Sequence, residues 1–282
     1  MMLKRKRLLL YLIYSLQKRN KRVTKTLLDK LLFLIKKESD IQKLANFYNF
    51  YPYKFGPFSN AFYLDFSDLK IRGLIDKDYC LSSAGVKLAE SIGSREKNII
   101  LQAAGRFADE KAVVDYVYDN YPEYTVKSER LEKKQSAAEP RIFSIGYEKK
   151  DADAFLDLLI QNQITVVADV RANPFSMNFT FCKNKLRKTL NKVDIDYINF
   201  PELGINGSHR RNLKTEADYA RLFQFYQSEI LPKQAQKIGE LIKLGSEKRV
   251  ALLCFEKDAN HCHRSVLSNV ITAKTGREVV HL

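Results

Sequence analysis

The sequence has few cysteines, and they are not spaced in a way that would build a cross-linked or zinc-ribbon fold. The four cysteines, Cys80, Cys182, Cys254 and Cys262, include no Cys-x-x-Cys pair. A disulfide framework and a zinc ribbon both depend on paired cysteines, so the spacing argues against both. We therefore expect reduced thiols and a cytoplasmic location.

Long apolar segments are also missing. The stretch from Leu8 to Leu16 is nine residues long and is interrupted by Tyr and Ser. A membrane-spanning helix needs about 20 apolar residues, and a secretory signal ends in a small-residue cleavage site that this stretch lacks. We therefore expect no membrane partner.

Acidic residues are scarce relative to basic ones. Lys+Arg number 48 against 33 Asp+Glu, which gives a formal charge of +15, and residues 1–37 hold 12 Lys/Arg and one acid, Asp29. Such a basic segment is typical of a surface that binds a polyanion, and also of a solvated helix face. We predict DNA or RNA as the partner, bound by the basic residues around the turn between the first two helices. These residues are Lys18, Arg19, Lys21, Arg22 and Lys25.

The length of 282 residues allows two modest cores. Residues 1–124 predict a basic, mainly helical domain with a small hairpin around residues 73–81, the order of elements in a winged helix. The polar segment 125–140 is typical of a linker. The stretch 51–85 resembles the helical, wing-bearing domain of certain antitoxin-like and phage-associated proteins. The alternative is a helical packing domain that binds no nucleic acid.

From residue 141 onward, short β-branched runs alternate with helical patterns. The strand-like runs are 142–146, 164–170, 195–200, 250–255 and 278–282, and the helical patterns are 151–162, 182–192, 215–230, 233–244 and 264–275. This alternation predicts an α/β domain over residues 141–282, with a mostly parallel sheet of about five strands covered on both faces. Ligands of such sheets gather beyond the carboxyl ends of the strands.

Short polar motifs follow these strands in a fixed order. They are Ser144-Ile145-Gly146-Tyr147, Asp169-Val170-Arg171 with Pro174 and Ser176, Phe181, Leu203-Gly204, Leu253-Cys254-Phe255-Glu256, Cys262-His263-Arg264 and Val280-His281. Together they resemble the family called domain of unknown function 488. The resemblance implies a three-layer α/β fold and a suspected enzymatic activity, but no defined reaction. Ile205 stands where many members have a second glycine, which leaves the shape of that loop open.

An anion site is one interpretation of these motifs. Arg171 and Arg264, together with Ser176, His263 and the backbone N–H groups of the helix that begins near His263, would hold a phosphate. The alternative is that Arg171 forms a structural ion pair with Asp169. The turn His209-Arg210-Arg211 is predicted as an exposed basic turn or a further phosphate contact.

Acid–base chemistry is a second interpretation. Asp169 and Glu256 follow neighbouring strands and would act as acid, base or electrostatic stabiliser, while Tyr147 would stack on a base or donate a hydrogen bond. Cys262 stands at a helix start beside two histidines and Arg264, surroundings that lower a thiol pKa, so it is a candidate nucleophile. A packed structural cysteine is the alternative, since the Cys-x5-Arg spacing of phosphatases is absent.

Metal binding is a third interpretation of the same loop. Its donors are Cys254, Glu256, His261, Cys262 and His263, with Asp169 across the rim of the sheet. Donors that are neighbours in sequence rarely all face one ion, and HExxH and Cys-x-x-Cys spacings are absent. We therefore predict no metal and no cofactor, with zinc as the alternative.

The sequence as a whole predicts a nucleic-acid-associated enzyme that acts on a base, a nucleotide or an N-glycosidic bond. The alternatives are a non-catalytic DNA-binding regulator whose α/β domain senses a nucleotide-like ligand, and a phage-defence or toxin–antitoxin component. The enzymatic hypothesis requires Asp169, Glu256 and Arg264 to share one cavity. The oligomeric state is left open.

Overall fold

The structure is a computed structural model that describes residues 2–131, 138–210 and 213–282. The chain divides into two compact units, Met1–Lys133 and Lys134–Leu282. Residues 132–137 of the predicted linker lie outside the described residues.

The first unit is mainly helical. Its elements are α1 Lys4–Gln17, α2 Lys25–Glu38, α3 Ile41–Leu44, β1 Tyr51–Tyr53, β2 Gly56–Phe58, α4 Asn60–Ile71, α5 Ser83–Glu90, α6 Ser94–Arg106 and α7 Glu110–Asn120. The hydroxyls of Thr24, Ser59 and Ser82 accept hydrogen bonds from the backbone N–H groups that open α2, α4 and α5, the cap position that these residue types favour. The leucines of α1 and α2 form much of the buried core.

The predicted wing is reduced to a single contact. Ile75 and Leu81 form one isolated antiparallel bridge, and the carboxylate of Asp76 accepts hydrogen bonds from the N–H groups of Asp78 and Cys80, which tightens the turn between them. The antiparallel hairpin of this unit is instead β1–β2, which lies before the segment predicted as the wing. The winged-helix resemblance is therefore not confirmed.

The start of the predicted linker is packed rather than solvated. Thr125 and Ser128 are buried, the hydroxyls of Ser128 and Tyr118 share a 2.7 Å hydrogen bond, and the N–H of Glu129 donates to the carbonyl of Lys54. The polar side chains that indicated a linker here satisfy backbone and side-chain groups of the first unit.

The second unit has the predicted three-layer α/β fold. Its main elements are β3 Arg141–Gly146, α8 Ala152–Gln161, β4 Val166–Asp169, α9 Lys183–Asn191, β5 Asp196–Asn199, α10 Glu216–Phe225, α11 Ala235–Glu247, β6 Arg249–Cys254, α12 His263–Thr275 and β7 Val280–His281, with a π-helical turn, Tyr226–Ile230, after α10. All neighbouring strands pair in parallel, in the order β5-β4-β6-β3-β7. Each predicted strand and helix is present, with small shifts at the ends.

Helices cover both faces of this sheet. Side chains such as Ile142, Val166 and Val250 form one core with residues from α10, α11 and α12. Their neighbours along the strands, such as Val167 and Ala251, are also fully buried and point to the opposite face, because side chains alternate along a strand. The apolar residues of α8 and α9 are buried as well. No helix in the described ranges combines the length and apolar character needed to cross a bilayer.

Two glycines allow close backbone approach at the carboxyl end of the sheet. A Cβ on Gly146 would lie 1.7 Å from the carbonyl oxygen of Glu256, and one on Gly204 would lie 2.1 Å from the amide nitrogen of Ala172. Ile205, where the family pattern suggested a second glycine, is 4% exposed and packs in the core. Apolar packing therefore fixes this loop.

We predict that Gly146→Ala destabilises the α/β unit, because the new methyl group would push the loop at Glu256 away from β3. Overpacking of this kind typically costs about 1–3 kcal/mol, which corresponds to a fall of about 3–10 °C in the unfolding temperature. Differential scanning calorimetry of the full chain checks this. Gly239→Ala in α11 is the matched control, because nothing lies within 4 Å of its added methyl group, and an unchanged transition in Gly146→Ala would contradict the packing argument.

Candidate functional site

A cleft of about 640 Å³ opens beyond the carboxyl ends of β3, β4 and β6, and we call it the rim cleft. It is lined by Tyr147, Glu148, Lys149, Lys150, Arg171, Ala172, Asn173, Phe175, Ser176, Met177, Asn178, Ile205, Gly207, Arg210, Cys254 and Phe255. Three predicted site residues, Tyr147, Arg171 and Ser176, are among them. Asp169, Glu256, Cys262, His263 and Arg264 are not.

Basic side chains outnumber acidic ones around the rim cleft. Lys149, Lys150, Arg171 and Arg210 line it against one carboxylate, that of Glu148. Arg171 and Arg210 form ion pairs with Asp169 and Glu256, whereas Lys149 and Lys150 form no salt bridge among the described residues. The carboxylate of Glu148 accepts a hydrogen bond from the backbone N–H of Lys257. A concave surface of one sign concentrates ligands of the opposite charge, so the cleft favours an anion.

Large apolar side chains in the same cleft are exposed to solvent. Phe175 is 67% exposed, Met177 is 95% exposed and Phe255 is 47% exposed. The ring of Phe255 makes an edge contact with Tyr147, their centroids 5.3 Å apart. Exposed aromatic rings beside cations provide a stacking surface next to an anion site.

Asp169 is fully buried, and protein donors occupy both of its carboxylate oxygens. Arg171 donates from Nε at 2.8 Å, from Nη2 at 2.6 Å and from its backbone N at 3.1 Å, and the hydroxyl of Tyr197 donates at 2.6 Å. Burial and the Asp169 charge hold the pKa of Tyr197 well above its usual range. Burial acts to lower the pKa of Arg171, but the hydrogen bonds and charge of Asp169 raise it above its ordinary value. Protein donors therefore engage both oxygens of Asp169, and neither oxygen faces a ligand.

Arg171 extends this network to two further elements. Its Nη1 donates to the hydroxyl of Tyr147 at 3.0 Å, and its Nη2 donates to the carbonyl of Phe181 at 2.9 Å. We call Asp169, Arg171, Tyr147, Tyr197 and Phe181 the Asp169 network. Arg171 is only 5% exposed, so it forms part of the floor of the cleft, as a structural ion pair with Asp169.

Tyr147 is not placed to stack on a base as predicted. Its ring stacks on Phe181, with centroids 4.3 Å apart and planes 13° apart, and its hydroxyl accepts the hydrogen bond from Arg171. One face of the ring is thus covered. The rings of Phe175 and Phe255 are the exposed ones, although the sequence did not single them out as ligand contacts.

Arg264 is buried and hydrogen-bonded to three protein groups, so it is not an exposed contact for an anion. It is 1% exposed, and it donates from Nε to the sulfur of Cys262 at 3.3 Å, from Nη1 to the hydroxyl of Ser144 at 3.3 Å and from Nη2 to the carbonyl of Glu256 at 2.5 Å. The hydroxyl of Ser144 also pairs with His281 Nδ1 at 2.6 Å. The predicted phosphate pocket between Arg171 and Arg264 is therefore not formed, because protein acceptors engage both guanidinium groups.

Cys262 lies 1% exposed beside Arg264, and the surroundings of its thiol act opposite to the prediction. Burial and the neighbouring Cys254 raise the pKa of the Cys262 thiol, and the contact with His263 opposes this only in part. A thiol of this kind is protonated at neutral pH, which weakens the case for Cys262 as a nucleophile.

His263, Cys254, Cys262 and Glu256 form a compact group that we call the thiol cluster. His263 Nε2 lies 3.1 Å from the carbonyl oxygen of Val170, so Nε2 carries the proton and Nδ1 is an acceptor. That Nδ1 lies 3.6 Å from the sulfur of Cys254 and 3.7 Å from that of Cys262. The sulfur of Cys254 also lies 3.2 Å from Glu256 Oε2.

Arg210 joins the thiol cluster to the rim cleft. Its Nη1 lies 3.1 Å from Glu256 Oε1, and its Nη2 lies 3.3 Å from His263 Nδ1. Burial acts to raise the pKa of Glu256, but hydrogen bonds from Cys262 and Cys254 and the charge of Arg210 lower it below its ordinary value. Arg211, the next residue of the predicted basic turn, lies outside the described residues.

The ligand atoms of Cys254, Cys262 and His263 lie within 4.8 Å of one another, which is close enough for one metal ion. The other three predicted donors are not part of this group: Glu256 lies 3.2 Å from the Cys254 sulfur but not within reach of all three ligand atoms. His261 Nδ1 pairs with Asp258, and Asp169 is held in its own network. Cys262 and His263 are neighbours in sequence, and the turn into α12 still places their ligand atoms 3.7 Å apart.

Of the five basic residues predicted to bind nucleic acid in the first unit, all but one are exposed to solvent. Lys18, Arg19, Arg22 and Lys25 are exposed. Lys21 is not, since its ammonium donates to the carbonyls of Ala104 and Phe107 at the end of α6, where helix carbonyls lack partners. Burial, together with the Arg19 charge, lowers the pKa of Lys21.

We predict that Asp169→Asn strongly destabilises the α/β unit, because it leaves the Arg171 guanidinium buried without its counter-ion. Removing one partner of a buried ion pair typically costs about 3–5 kcal/mol. Urea unfolding followed by circular dichroism measures the change. Glu240→Gln, which removes a surface partner of Lys237, is the control expected to leave stability unchanged, and equal stabilities of the two variants would refute the role given to Asp169.

We also predict that Cys262 resists alkylation in the native protein. Its buried, protonated thiol should react at least tenfold more slowly with iodoacetamide at pH 7 than the exposed Cys80, because the thiolate is the reactive form. Peptide mass spectrometry over a time course gives both rates. A Cys262 rate equal to or faster than that of Cys80 would restore the nucleophile hypothesis.

Comparison with known proteins gives a family match within the second unit. The family model described as domain of unknown function DUF488 matches residues 151–271. The resemblance expected from the motifs is confirmed over these residues. No curated protein and no solved structure was found that matches the chain at a significant level.

Proposed function

We propose that this chain is a nucleic-acid-associated protein whose DUF488-type α/β domain binds a nucleotide unit in the rim cleft. The unit is a free nucleotide or an unpaired nucleotide of DNA or RNA. The observation that carries the proposal is the combination, in one cleft, of exposed aromatic rings with Lys149, Lys150 and the partly exposed Arg210.

Phosphate is the part of the ligand that the cations would hold. Lys149 is exposed at the mouth of the cleft, and the Arg210 side chain is 34% exposed. Arg210 Nε is buried and has no hydrogen-bond partner among the described residues, so the exposed part of this guanidinium is what a phosphate would contact. Charge-assisted hydrogen bonds from arginine to phosphate are among the stronger polar contacts in proteins.

The base is the part that the rings would hold. Phe175 and Phe255 have exposed surface in the cleft, and stacking of one base on an aromatic side chain contributes about 1–3 kcal/mol. Stacking depends little on which base is present, so we expect weak sequence preference from this contact.

The basic residues around the turn in the first unit would add phosphate contacts without sequence preference. Lys18, Arg19, Arg22 and Lys25 are exposed, and the first 37 residues carry nearly all of their charge as Lys and Arg. Binding of this kind weakens as salt rises, because each contact releases counterions from the nucleic acid.

The geometry favours a protein that binds the nucleotide without catalysing a reaction on it. An acid–base pair of Asp169 and Glu256 has little support, because the carboxylate of Asp169 is saturated by Arg171 and Tyr197. Enzymatic action on the nucleotide stays a prediction from the sequence. So does the cytoplasmic location, which four free cysteines suit.

Fluorescence anisotropy with labelled single-stranded DNA and RNA 12-mers at about 50 mM salt tests the proposal. We expect Phe175→Ala to weaken binding about 5- to 100-fold, as loss of one stacked base predicts. Phe179→Ala is the matched control, since Phe179 is exposed on the same loop but does not line the rim cleft. Lys149→Gln should weaken binding more than Lys233→Gln, which lies outside the cleft.

The double variant Arg19→Gln, Arg22→Gln separates the two sites. It should reduce the salt dependence of binding by a slope of about 1.4, because two phosphate contacts on a single strand are lost. Competition by a mononucleotide should be unaffected by it. Undetectable binding of both 12-mers and of mononucleotides, or equal losses in Phe175→Ala and Phe179→Ala, would overturn the proposal.

A further inference from the structure

The thiol cluster brings three potential metal ligands, Cys254, Cys262 and His263, to one point, with the carboxylate of Glu256 beside Cys254. Cys254 is the last residue of β6 and Glu256 follows it, while Cys262 and His263 stand at the start of α12. Cys254, Cys262 and His263 are all at least 98% buried. From this arrangement we propose that the cluster binds a zinc ion, with the sulfurs of Cys254 and Cys262, Nδ1 of His263 and the carboxylate of Glu256 as its ligands.

The distances within the cluster match those of a tetrahedral zinc site. Ligand atoms that lie ~2.0–2.3 Å from a zinc ion at tetrahedral angles are about 3.5–3.8 Å from one another. His263 Nδ1 lies 3.6 Å from one sulfur and 3.7 Å from the other. Glu256 Oε2 lies 3.2 Å from the Cys254 sulfur but outside the group of three ligand atoms that are all within 4.8 Å of one another, so its side chain would have to move toward Cys262 and His263 to become the fourth ligand.

The imidazole of His263 is held in the form that binds a metal. Its Nε2–H donates to the carbonyl of Val170, so the lone pair of Nδ1 points at the two sulfurs. Histidine ligands commonly donate their second N–H to a carbonyl or carboxylate, which fixes the tautomer and the ring orientation.

Arg264 is placed to stabilise a thiolate in the cluster. Its guanidinium is 1% exposed and forms no salt bridge among the described residues. Its acceptors are the Cys262 sulfur, the Ser144 hydroxyl and the Glu256 carbonyl, which are all neutral while the thiol keeps its proton. A zinc-bound thiolate 3.3 Å from Nε would accept a charge-assisted hydrogen bond, which is stronger than the bond that the neutral thiol accepts.

The net charge of the cluster does not change when zinc binds. The two thiols release two protons to solvent, which offsets the two positive charges of the ion. The carboxylate of Glu256 then remains beside Arg210, whose Nη1 stays on Glu256 while its contact with His263 Nδ1 is given up. Thiolate and imidazole ligands favour zinc among the common divalent ions.

Metal content of the purified full-length chain tests this directly. Protein prepared without chelators and dialysed should hold about one zinc per chain, and replacement by Co²⁺ should give tetrahedral d–d bands together with a thiolate-to-cobalt charge-transfer band. Cys254→Ser and Cys262→Ser should each lose most of the zinc and most of the charge-transfer intensity. Cys80→Ser and Cys182→Ser are the matched controls and should keep both.

A second measurement covers the case in which the cysteine variants fail to fold. Zinc added to chelator-treated wild-type protein should raise its unfolding temperature, and Glu256→Gln should bind zinc more weakly than wild type. Less than about 0.1 zinc per chain with no cobalt charge-transfer band in the wild type would overturn the proposal. So would loss of metal in the Cys80→Ser or Cys182→Ser controls. These readouts involve no nucleic acid, so they succeed or fail separately from the rim-cleft proposal.

Discussion

The buried ion pair between Asp169 and Arg171 is the interaction on which the carboxyl-terminal rim depends. Asp169 ends β4, a strand covered on both faces, so its charge has no access to water and must be met by protein donors. Arg171 and the hydroxyl of Tyr197 supply them. Because Arg171 also donates to Tyr147 and Phe181, one charge pair ties the end of β4 to β5, to the loop after β3 and to the loop before α9. Buried networks of this kind are stable only when every member is satisfied.

This requirement separates the polar residues of the rim by role. Residues at the ends of the strands or at the start of α12 mostly face inward. Asp169, Arg171 and Arg264 are examples, and their polar atoms are hydrogen-bonded to other protein groups. The residues that face the rim cleft lie on the flanking loops, where Lys149, Phe175 and Arg210 keep exposed surface. A ligand would therefore meet loop side chains above a rigid, charged floor. The thiol cluster lies beside this floor, and Arg210 contacts both.

Features that depend on residues close together in the sequence were predictable. The hydrogen-bond and ion-pair partners of the polar side chains were not. The alternation of strands and helices gave the parallel sheet, and Thr24, Ser59 and Ser82 cap the helices that they precede, because both features are local. Asp169 was expected to be reactive because it lies at the end of a strand. One of the donors that occupy its carboxylate is Tyr197, which is 28 residues away along the chain and could not be recognised from the local sequence. Lys21 was expected to bind nucleic acid because it lies in a basic turn. Its ammonium instead donates to the carbonyls of residues 104 and 107, which are too far away along the chain to be recognised as partners from the sequence. A count of basic residues cannot tell a paired cation from an exposed one.

The solvent exchange of the Arg171 Nε–H tests the central claim most directly. In a ¹⁵N NMR spectrum at neutral pH, a guanidinium buried against Asp169 should give a separate Nε–H signal that exchanges far more slowly than that of Arg221, which is 74% exposed. A slow signal that shows a hydrogen bond to a carboxylate would support the account. Exchange of the Arg171 signal as fast as that of Arg221 would show an open, solvated ion pair, and the rigid floor of the rim cleft would be contradicted.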